Sequence, residues 1–390
     1  MKKINRWTIL ITSCLINLCI GSMYAWSALS APMAVELGVE NLSIVFSVAN
    51  SVGFISMIIG GLLNDRFGPR WVIFGGGLMF GIGMFSSGYA QSPGYLIISY
   101  GLFVGLGLSF VYGCTISNTI KFFPDKRGMA GGMTTASYGI SSVIFAPLAM
   151  QLSSAFGARN TFHILGAVFL VIICAGAFII QKCPDQPAAE TKISTDKTPG
   201  QMVRMPVFYV MIIMLTAGGT FGMMIISNAR GLAVDMVQAS PALATMVVSV
   251  LCLFNTAGRL IAGSLSDKLG RINTLTIALF IALAGLILLI TSEKTVSVPL
   301  FITGVVLIGV CFGTFMGVFP GFATDVFGQK YNTVNYGIMW VGFSASGMLG
   351  PMILVRMHNA SGIYSGAFIA AIVIAVLGLL MTVIFRRLRK

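Results

Sequence analysis

One basic side chain is set apart from the other charged residues by its depth in an apolar run. Arg259 lies inside the run 241–264 and precedes Asp267, which lies just beyond that run at the predicted interface, by eight residues. At a helical rise of 1.5 Å per residue, Arg259 is about 12 Å inside a hydrocarbon layer of about 30 Å. An arginine at this depth costs about 2.5 to 3.5 kcal/mol on insertion scales, so it should face a watery cavity or bind an anion. We infer that it binds an anion.

The acidic residues offer Arg259 no permanent partner inside an apolar run. All eleven fall in predicted loops or at the ends of runs: Glu36, Glu40, Asp65, Asp125, Asp185, Glu190, Asp196, Asp235, Asp267, Glu293 and Asp325. Because a guanidinium presents a planar fork that matches a carboxylate, a carboxylate substrate is the predicted partner. The alternative is that Arg259 caps backbone carbonyls or snorkels to the cytoplasmic face. Asn255, one turn earlier, is predicted to add a polar contact, unless it makes a hydrogen bond between helices.

No other set of side chains has the spacing of a catalytic or metal site. The seven cysteines are scattered without a C-x-x-C pair and are expected to pack as small residues. His163 and His358 lie near predicted outer helix ends, with no cluster of Cys, Asp or Glu beside them. We therefore expect no metal, no cofactor, no catalytic residue and no enzymatic activity.

Apolar runs form the elements that must position Arg259. Apolar residues make up 56% of the 390 and charged residues only 9%, about a third of the charged share usual in soluble domains. Twelve runs are long enough to cross a membrane as helices: 7–30, 43–63, 71–90, 95–119, 129–153, 161–181, 206–227, 241–264, 272–291, 297–319, 333–355 and 362–385. Backbone polar groups in lipid must be satisfied within each run. The predicted fold class is an all-α membrane protein with twelve transmembrane helices.

The basic residues predict the orientation of these helices. Nineteen of the 24 Lys and Arg residues fall on one set of alternate loops, together with both termini. The opposite loops carry Arg159, Arg230, Lys294 and Arg356. Under the positive-inside rule both termini are cytoplasmic, in a multi-pass protein of the cell (inner) membrane. Anionic lipid headgroups account for the net charge of +13, so membrane lipid is an expected partner and nucleic acid is not.

The two halves of the chain resemble each other. Residues 61–68, with the sequence Gly-Leu-Leu-Asn-Asp-Arg-Phe-Gly, recur 202 positions later as Gly-Ser-Leu-Ser-Asp-Lys-Leu-Gly at 263–270. Duplicated bundles are common in transporters. We therefore predict pseudo-symmetric six-helix bundles at 1–181 and 206–390. A polar cytoplasmic linker at 182–205 joins them, and we interpret it as a flexible tether.

The repeated pattern G-x-x-x-D-[RK]-x-G resembles the signature of the major facilitator superfamily, and the resemblance spans the whole chain. In that family the loop acid and its basic neighbours hold adjacent helix ends on the cytoplasmic face, where charges at a closing interface can bias two states. The resemblance assigns a gating role to Asp65, Arg66, Gly68, Arg70, Asp267, Lys268 and Arg271. The alternative is that these residues are only topogenic charges and helix-ending glycines.

Four further motifs are similar to the oxalate/formate antiporter family, which is related to the monocarboxylate transporters. They are Gly21-Ser22-Met23-Tyr24-Ala25-Trp26-Ser27, Lys121-Phe122-Phe123-Pro124-Asp125-Lys126-Arg127-Gly128, Asn255-Thr256-Ala257-Gly258-Arg259 and Asn335-Tyr336-Gly337. The resemblance implies an aromatic lining of the substrate site, formed by Tyr24, Tyr112, Tyr138 and Trp340, with Phe312 and Tyr336 as weaker additions. Tyrosine hydroxyl and indole groups can donate to carboxylate oxygens. Without the resemblance, each residue would be assigned to core packing or to a membrane belt.

One departure from the family pattern narrows the predicted substrate. Oxalate carriers of this family have a lysine in helix 11 where this sequence has Phe343. A site with one cation and an apolar wall suits a monoanion better than a dianion, whose second charge would be buried unpaired. We therefore predict transport of monocarboxylates of the formate, lactate or pyruvate type, with Phe343 in the site. The alternatives are exchange of the dicarboxylate oxalate for formate, and export of drugs or sugars by the same fold.

The same residues bear on energy coupling. Monocarboxylate carriers that import protons often pair an aspartate with the arginine of helix 8, and this chain has Asn255 there. We hypothesise that a bound anion neutralises Arg259, so that the loaded carrier closes around it by rocker-switch alternating access, whereas the empty carrier retains a desolvated cation. This favours exchange or uniport, with a proton as the alternative coupled ion. A monomer is expected.

Overall fold

Helices account for nearly all of the chain in the computed structural model, which describes residues 5–39, 42–184 and 196–389. Seven charged residues assigned to loops or termini lie outside these ranges: Lys2, Lys3, Glu40, Asp185, Glu190, Lys192 and Lys390. No β-strand occurs in the described ranges. The prediction of an all-α protein is confirmed.

Sixteen α-helices follow one another in the described ranges. Their bounds are α1 Arg6–Ile20, α2 Trp26–Leu37, α3 Ser43–Ser51, α4 Gly53–Phe67, α5 Pro69–Ser87, α6 Pro93–Leu96, α7 Gly105–Phe122, α8 Arg127–Phe156, α9 Ala158–Ile179, α10 Pro199–Met202, α11 Pro206–Val237, α12 Pro241–Leu269, α13 Arg271–Thr295, α14 Val298–Phe327, α15 Asn332–Ser361 and α16 Ser365–Leu388. A 3₁₀ turn at Gly21–Ala25 joins α1 to α2, and a π-helical stretch at Ile97–Val104 joins α6 to α7.

Eleven helical stretches of the described chain are long and apolar enough to cross a membrane. The remaining predicted run, 71–90, forms α5, a glycine-rich helix of 19 residues. Its glycines bring α9 close, because a Cβ at Gly77 would lie 2.6 Å from Cγ2 of Ile173 and one at Gly81 would lie 2.5 Å from Cβ of Leu170. Such small residues are typical of helix packing in membranes.

The first predicted run is not one regular helix. It begins as α1, tightens into the turn Gly21–Ala25 and continues as α2. A Cβ at Gly21 would overlap the carbonyl oxygen of Tyr138 and lie 2.7 Å from Cβ of Ser141, so only glycine allows α8 to approach this point. Tyr24 lies within this turn, so the turn determines the position of its side chain. Short 3₁₀ stretches within long helices often mark functional positions.

The helices divide into two compact units. The first unit comprises Met1–Pro199 together with Ala323–Ile338, and the second comprises Gly200–Phe322 together with Met339–Lys390. The first boundary between the two units, at Pro199 and Gly200, lies inside the predicted linker 182–205. Segment 323–338, the end of α14 and the start of α15, packs with the first unit, which the sequence does not predict.

The duplicated loop sequence folds alike in both units. Gly68, between α4 and α5, has φ 81° and ψ 164°, and Gly270, between α12 and α13, has φ 83° and ψ 146°. Nothing lies within 4 Å of a Cβ built on either residue, so the positive φ rather than crowding requires glycine. The last glycine of the repeated pattern therefore turns the chain from one helix into the next in a single residue.

Candidate substrate-binding site

Arg259 lies deep in α12 and is buried, with 1% of its surface exposed. About 15 Å of helix separates it from Leu269 at the end of α12. Its Nε donates a hydrogen bond to Oδ1 of Asn255, 3.1 Å away and one turn earlier on the same helix. This bond fixes the plane of the guanidinium. Asn255 therefore orients the arginine, a role that sequence reasoning did not assign to it.

Glycines of α14 let that helix lie against the backbone that carries Arg259. A Cβ at Gly313 would overlap the carbonyl oxygen of Asn255 and lie 2.9 Å from its carbonyl carbon. A Cβ at Gly317 would lie 2.6 Å from the carbonyl oxygen of Arg259. Because these atoms are backbone, they cannot rotate away as the end of a side chain can. Helices α12 and α14 are thus in direct backbone contact at the level of the arginine.

Three aromatic residues predicted for the site form one cluster in the second unit. Trp340 and Phe343 of α15 are half-buried, with ring centroids 4.4 Å apart. The centroid of Phe343 lies 6.3 Å from that of Phe312 on α14, the residue that directly precedes Gly313. Tyr336 is not part of this cluster, because it belongs to segment 323–338 of the first unit, where it is buried.

The three tyrosines predicted for the site come together in the first unit. The ring centroid of Tyr138 on α8 lies 4.9 Å from that of Tyr24 and 5.1 Å from that of Tyr112 on α7, in edge-to-face geometry. Tyr112 and Tyr138 are buried and Tyr24 is half-buried. The 3₁₀ turn of the first helix and the packing of Gly21 on α8 produce this arrangement. It is a cluster of tyrosine rings inside the first unit, and tyrosine hydroxyl groups can donate hydrogen bonds to an anion.

The residues predicted for the gate make different contacts in the two repeats. In the second unit, Nη1 of Arg271 pairs with Oδ1 of Asp267 at 2.7 Å and donates to Oγ of Ser266 at 2.5 Å. In the first unit, Pro69 occupies the position equivalent to Arg271. Arg70 donates instead from Nε to the carbonyl oxygen of Ile180, 3.3 Å away after the end of α9.

The remaining gate residues lie at the surface of their units. Asp65, Arg66, Gly68 and Arg70 line a cavity of about 620 Å³ together with Lys182 and other residues. Lys268 is exposed at the end of α12. The gate residues of the first repeat therefore line one cavity, whereas in the second repeat Asp267 and Arg271 form an ion pair.

A separate polar cluster joins four helix ends of the second unit. The hydroxyl of Tyr364 donates to Oδ2 of Asp235 at 2.7 Å, and its backbone N–H donates to Oε1 of Glu293 at 2.6 Å. Burial, followed by the hydrogen bond to Asp235, raises the pKa of Tyr364 to about 12. The ring of His358 stacks on that of Tyr364 with centroids 4.0 Å apart. No group of three or more His, Cys, Asp or Glu residues in the described ranges could hold a metal ion.

Comparison with known proteins decides the family. Residues 11–351 match the model of the Major Facilitator Superfamily, a stretch that includes Arg259 and both copies of the repeated loop. The chain belongs to the Major Facilitator Superfamily. A member of this superfamily is a transporter and not an enzyme, as the sequence predicts, and its fold is the all-α fold described above.

Relatives of this superfamily member include named carboxylate carriers. The uncharacterized MFS-type transporter YhjX of Escherichia coli K12 is 30% identical over 87% of this chain and 85% of its own length. The oxalate:formate antiporter of Oxalobacter formigenes is 29% identical over 99% of this chain and 93% of its own. Monocarboxylate transporter 13 of Bos taurus is 24% identical over 87% and 78%. The predicted resemblance is therefore confirmed.

A solved structure supports the fold alone. The human organic anion transporter MFSD10 has a TM-score of 0.77 at 12% sequence identity, over 97% of this chain and 100% of that one. At this identity the similarity carries no information on the substrate.

This transporter also has polar contacts that the sequence does not predict. Nη1 of Arg127 on α8 pairs with Oδ1 of Asp325 at 2.6 Å. Nδ2 of Asn64 on α4 donates to Oγ1 of Thr333 at 3.1 Å. Both partners lie in segment 323–338, far away in the chain, so their charges and polarity were visible in the sequence but their pairing was not.

The interpretation of the linker as a purely flexible tether is wrong at its described end. The backbone N–H of Lys197 donates to the carbonyl oxygen of Phe327 at 2.8 Å, and the short helix α10 follows at Pro199. Lys197 is anchored because the last residue of α14 supplies a hydrogen-bond partner for its backbone.

Proposed function

We propose that this superfamily member is a secondary transporter of small organic anions, with monocarboxylates of the formate, lactate or pyruvate type as its main substrates. The observation that carries the proposal is the burial of Arg259 in the interior of a membrane-crossing helix. A guanidinium at that depth is costly unless an anion or a polar cavity compensates its charge. The named relatives that carry oxalate, formate or monocarboxylates support the same class of substrate.

Arg259 would bind the carboxylate through the two Nη groups of its fork. The hydrogen bond from Nε to Asn255 sets the orientation of that fork, and carboxylates bind such a fork through two parallel hydrogen bonds. The hydroxyl groups of Tyr24, Tyr112 and Tyr138 are proposed as further donors. Arg259 would provide the one positive charge and the tyrosines only neutral donors, which suits an anion of single charge.

The aromatic cluster would favour a monoanion over a dianion. The ring of Phe343 lies near those of Trp340 and Phe312. Phe343 occupies the position at which oxalate carriers of the family that this sequence resembles have lysine. An apolar wall gives a methyl or hydroxyalkyl group a favourable environment but leaves a second carboxylate without a counter-charge. Oxalate:formate exchange is the second candidate function, because a relative with that activity aligns with 99% of this chain.

Transport would proceed by alternating access in the inner membrane, with both termini and the linker on the cytoplasmic side. A bound anion would neutralise Arg259 and allow the loaded carrier to change conformation, whereas the empty carrier would have to bury the positive charge without the substrate. This difference favours exchange or uniport over obligatory proton coupling. The residues at the repeated loops, Asp65 and Asp267 with their basic neighbours, would act as gates.

Uptake into proteoliposomes tests the proposal. Labelled formate, acetate, lactate, pyruvate and oxalate are supplied to the wild type and to Arg259→Lys, Arg259→Ala and Arg356→Ala. The control Arg356 is an exposed cation on α15. We expect monocarboxylate uptake in the wild type and in Arg356→Ala, and its loss in both Arg259 variants. Normal uptake by Arg259→Ala would refute the role of the arginine, and accumulation that follows an imposed proton gradient would refute exchange.

A further inference from the structure

The described end of the linker is hydrogen bonded to the loop between α14 and α15. Oδ1 of Asp196 accepts hydrogen bonds from the backbone N–H groups of Gln329, at 2.8 Å, and Lys330, at 3.1 Å. The backbone N–H of Lys197 donates to the carbonyl oxygen of Phe327 at 2.8 Å. We call Asp196 and Lys197 the strap. It contacts the loop through a side chain and the end of α14 through the backbone.

Two further features fit the loop to the strap. Nδ2 of Asn335 donates to the carbonyl oxygen of Lys197 at 2.9 Å. Gly328 has a φ of 89°, and a Cβ on it would overlap the carboxylate of Asp196 and lie 2.5 Å from its Cα. Glycine is therefore required at this position both by the backbone conformation and by the closeness of the strap.

The loop belongs to segment 323–338, which is docked on α4 and α8 within the first unit. The ion pair of Asp325 with α8 precedes the loop, and the hydrogen bond of Thr333 with α4 follows it. Next to Thr333, the backbone nitrogen of Val334 would lie 2.7 Å from a Cβ on Gly61, so segment and helix are in close backbone contact. The strap binds between these two attachment points.

We propose that the strap is a brake on the conformational change: it stabilises the docked state of segment 323–338 and must release the loop before the segment leaves α4 and α8. The segment continues into the parts of α14 and α15 that belong to the second unit. In a transporter that alternates between conformations, the contacts of such a segment are the ones that a rearrangement breaks and remakes. The proposal rests on membership of the superfamily and does not depend on the substrate.

The chemistry of the strap suits this role. A carboxylate that accepts from two consecutive backbone N–H groups makes charge-assisted hydrogen bonds, which are stronger than bonds between neutral groups. Because these bonds are made by a side chain of the linker, they can break while the helices stay intact. The strap therefore adds to the stability of one conformation and contributes nothing to the other.

Hydrogen–deuterium exchange of the full-length transporter in lipid nanodiscs tests the brake. The variants are Asp196→Ala and, as a control that removes an exposed charge from the described part of the same linker, Arg204→Ala. We expect Asp196→Ala to speed exchange about tenfold across residues 329–338. This includes the backbone N–H groups of Thr333 to Ile338, none of which donates to the strap in the contacts described above. The control should exchange like the wild type.

Two results would overturn the proposal. If exchange in Asp196→Ala rises only at Gln329 and Lys330, the strap orders its own loop and nothing more. If exchange does not change at all, the strap contributes nothing to docking. Gly328→Ala approaches the same contact from the loop side and should reproduce the effect, whereas Asp196→Asn, which keeps an acceptor oxygen, should fall between. Since no substrate is added, failure of the carboxylate proposal would leave these outcomes interpretable.

Discussion

Replacement of Gly313 by alanine should disturb the position of Arg259 without touching its side chain. The added Cβ would lie 2.9 Å from the carbonyl carbon of Asn255, whereas carbon atoms in contact are about 3.5 to 4.0 Å apart. Helices α12 and α14 must therefore separate by about 1 Å. A misplacement of about 1 Å can cost a positioned group about 100-fold. We expect the KM for a monocarboxylate to rise about 10-fold to 100-fold, with a loss of about 1 to 3 kcal/mol in the free energy of unfolding.

Two other glycines of α14 serve as matched controls. A Cβ at Gly309 would lie 3.1 Å from both Cδ1 and the backbone carbonyl oxygen of Leu251. These contacts are tight but do not overlap, and a shift of a few tenths of an ångström relieves them, so Gly309→Ala should transport nearly as well as the wild type. A Cβ at Gly304 would lie 2.9 Å from Cγ of Leu289 on α13. Gly304→Ala should therefore lose stability without a change in KM. Initial rates in proteoliposomes and thermal unfolding with and without the carboxylate measure both quantities.

The comparison of KM with stability decides whether the reasoning holds. If Gly313→Ala loses as much stability as Gly304→Ala and keeps the wild-type KM, the glycine serves helix packing alone and the positioning of Arg259 does not depend on it. If KM rises in both variants by the same factor, the effect belongs to general destabilisation. Only a selective rise in KM at Gly313 supports the geometry described here.

Three further substitutions have defined outcomes. Phe343→Lys supplies a second cation, so oxalate should become an efficient competitor of labelled formate uptake. Tyr364→Phe should make the Tm fall less steeply between pH 10 and pH 12. The pKa of Tyr364 is raised from 10.0 to about 12, so its contribution to stability is present below pH 10 and is lost as the pH rises towards 12. A series of Tm values against pH for the wild type and the variant measures this difference. Asp267→Asn should lower the free energy of unfolding by about 1 to 3 kcal/mol, because the side chains of Asp267 and Arg271 are only 15% and 11% exposed and the guanidinium would lose its counter-charge. Chemical denaturation measures this change, and a loss near zero would mean that the bond of Arg271 to Ser266 holds the two helix ends by itself.

The sequence predicts most of the helices because each is a long apolar run with its own local signal. It also predicts the duplicated loop, since Gly68 and Gly270 need the same positive φ. The break in the first helix is different. It depends on the approach of Tyr138 on α8 to Gly21, a contact between residues that are far apart in the chain, and no local pattern encodes it.

In the candidate site, too, the features that depend on local sequence could be predicted and those that depend on distant contacts could not. The depth of Arg259 follows from counting residues along one helix, and the structure finds it buried. The tyrosines and Trp340 could be named only through a family resemblance, because aromatic residues in an apolar run have no distinguishing spacing. The docking of segment 323–338 and the strap had no signal at all, since each hydrogen bond joins residues separated by more than a hundred positions.

The composition of the first unit limits how this chain can be divided. Since Ala323–Ile338 packs with Met1–Pro199, an N-terminal fragment that stops in the linker would leave the surface around Gly61 and Asn64 uncovered. The complementary fragment would carry a segment made to fit a missing neighbour. The two halves share a repeated loop sequence, yet they are not equivalent as folding units. The first unit is complete only when it includes residues 323–338 from the second half of the chain.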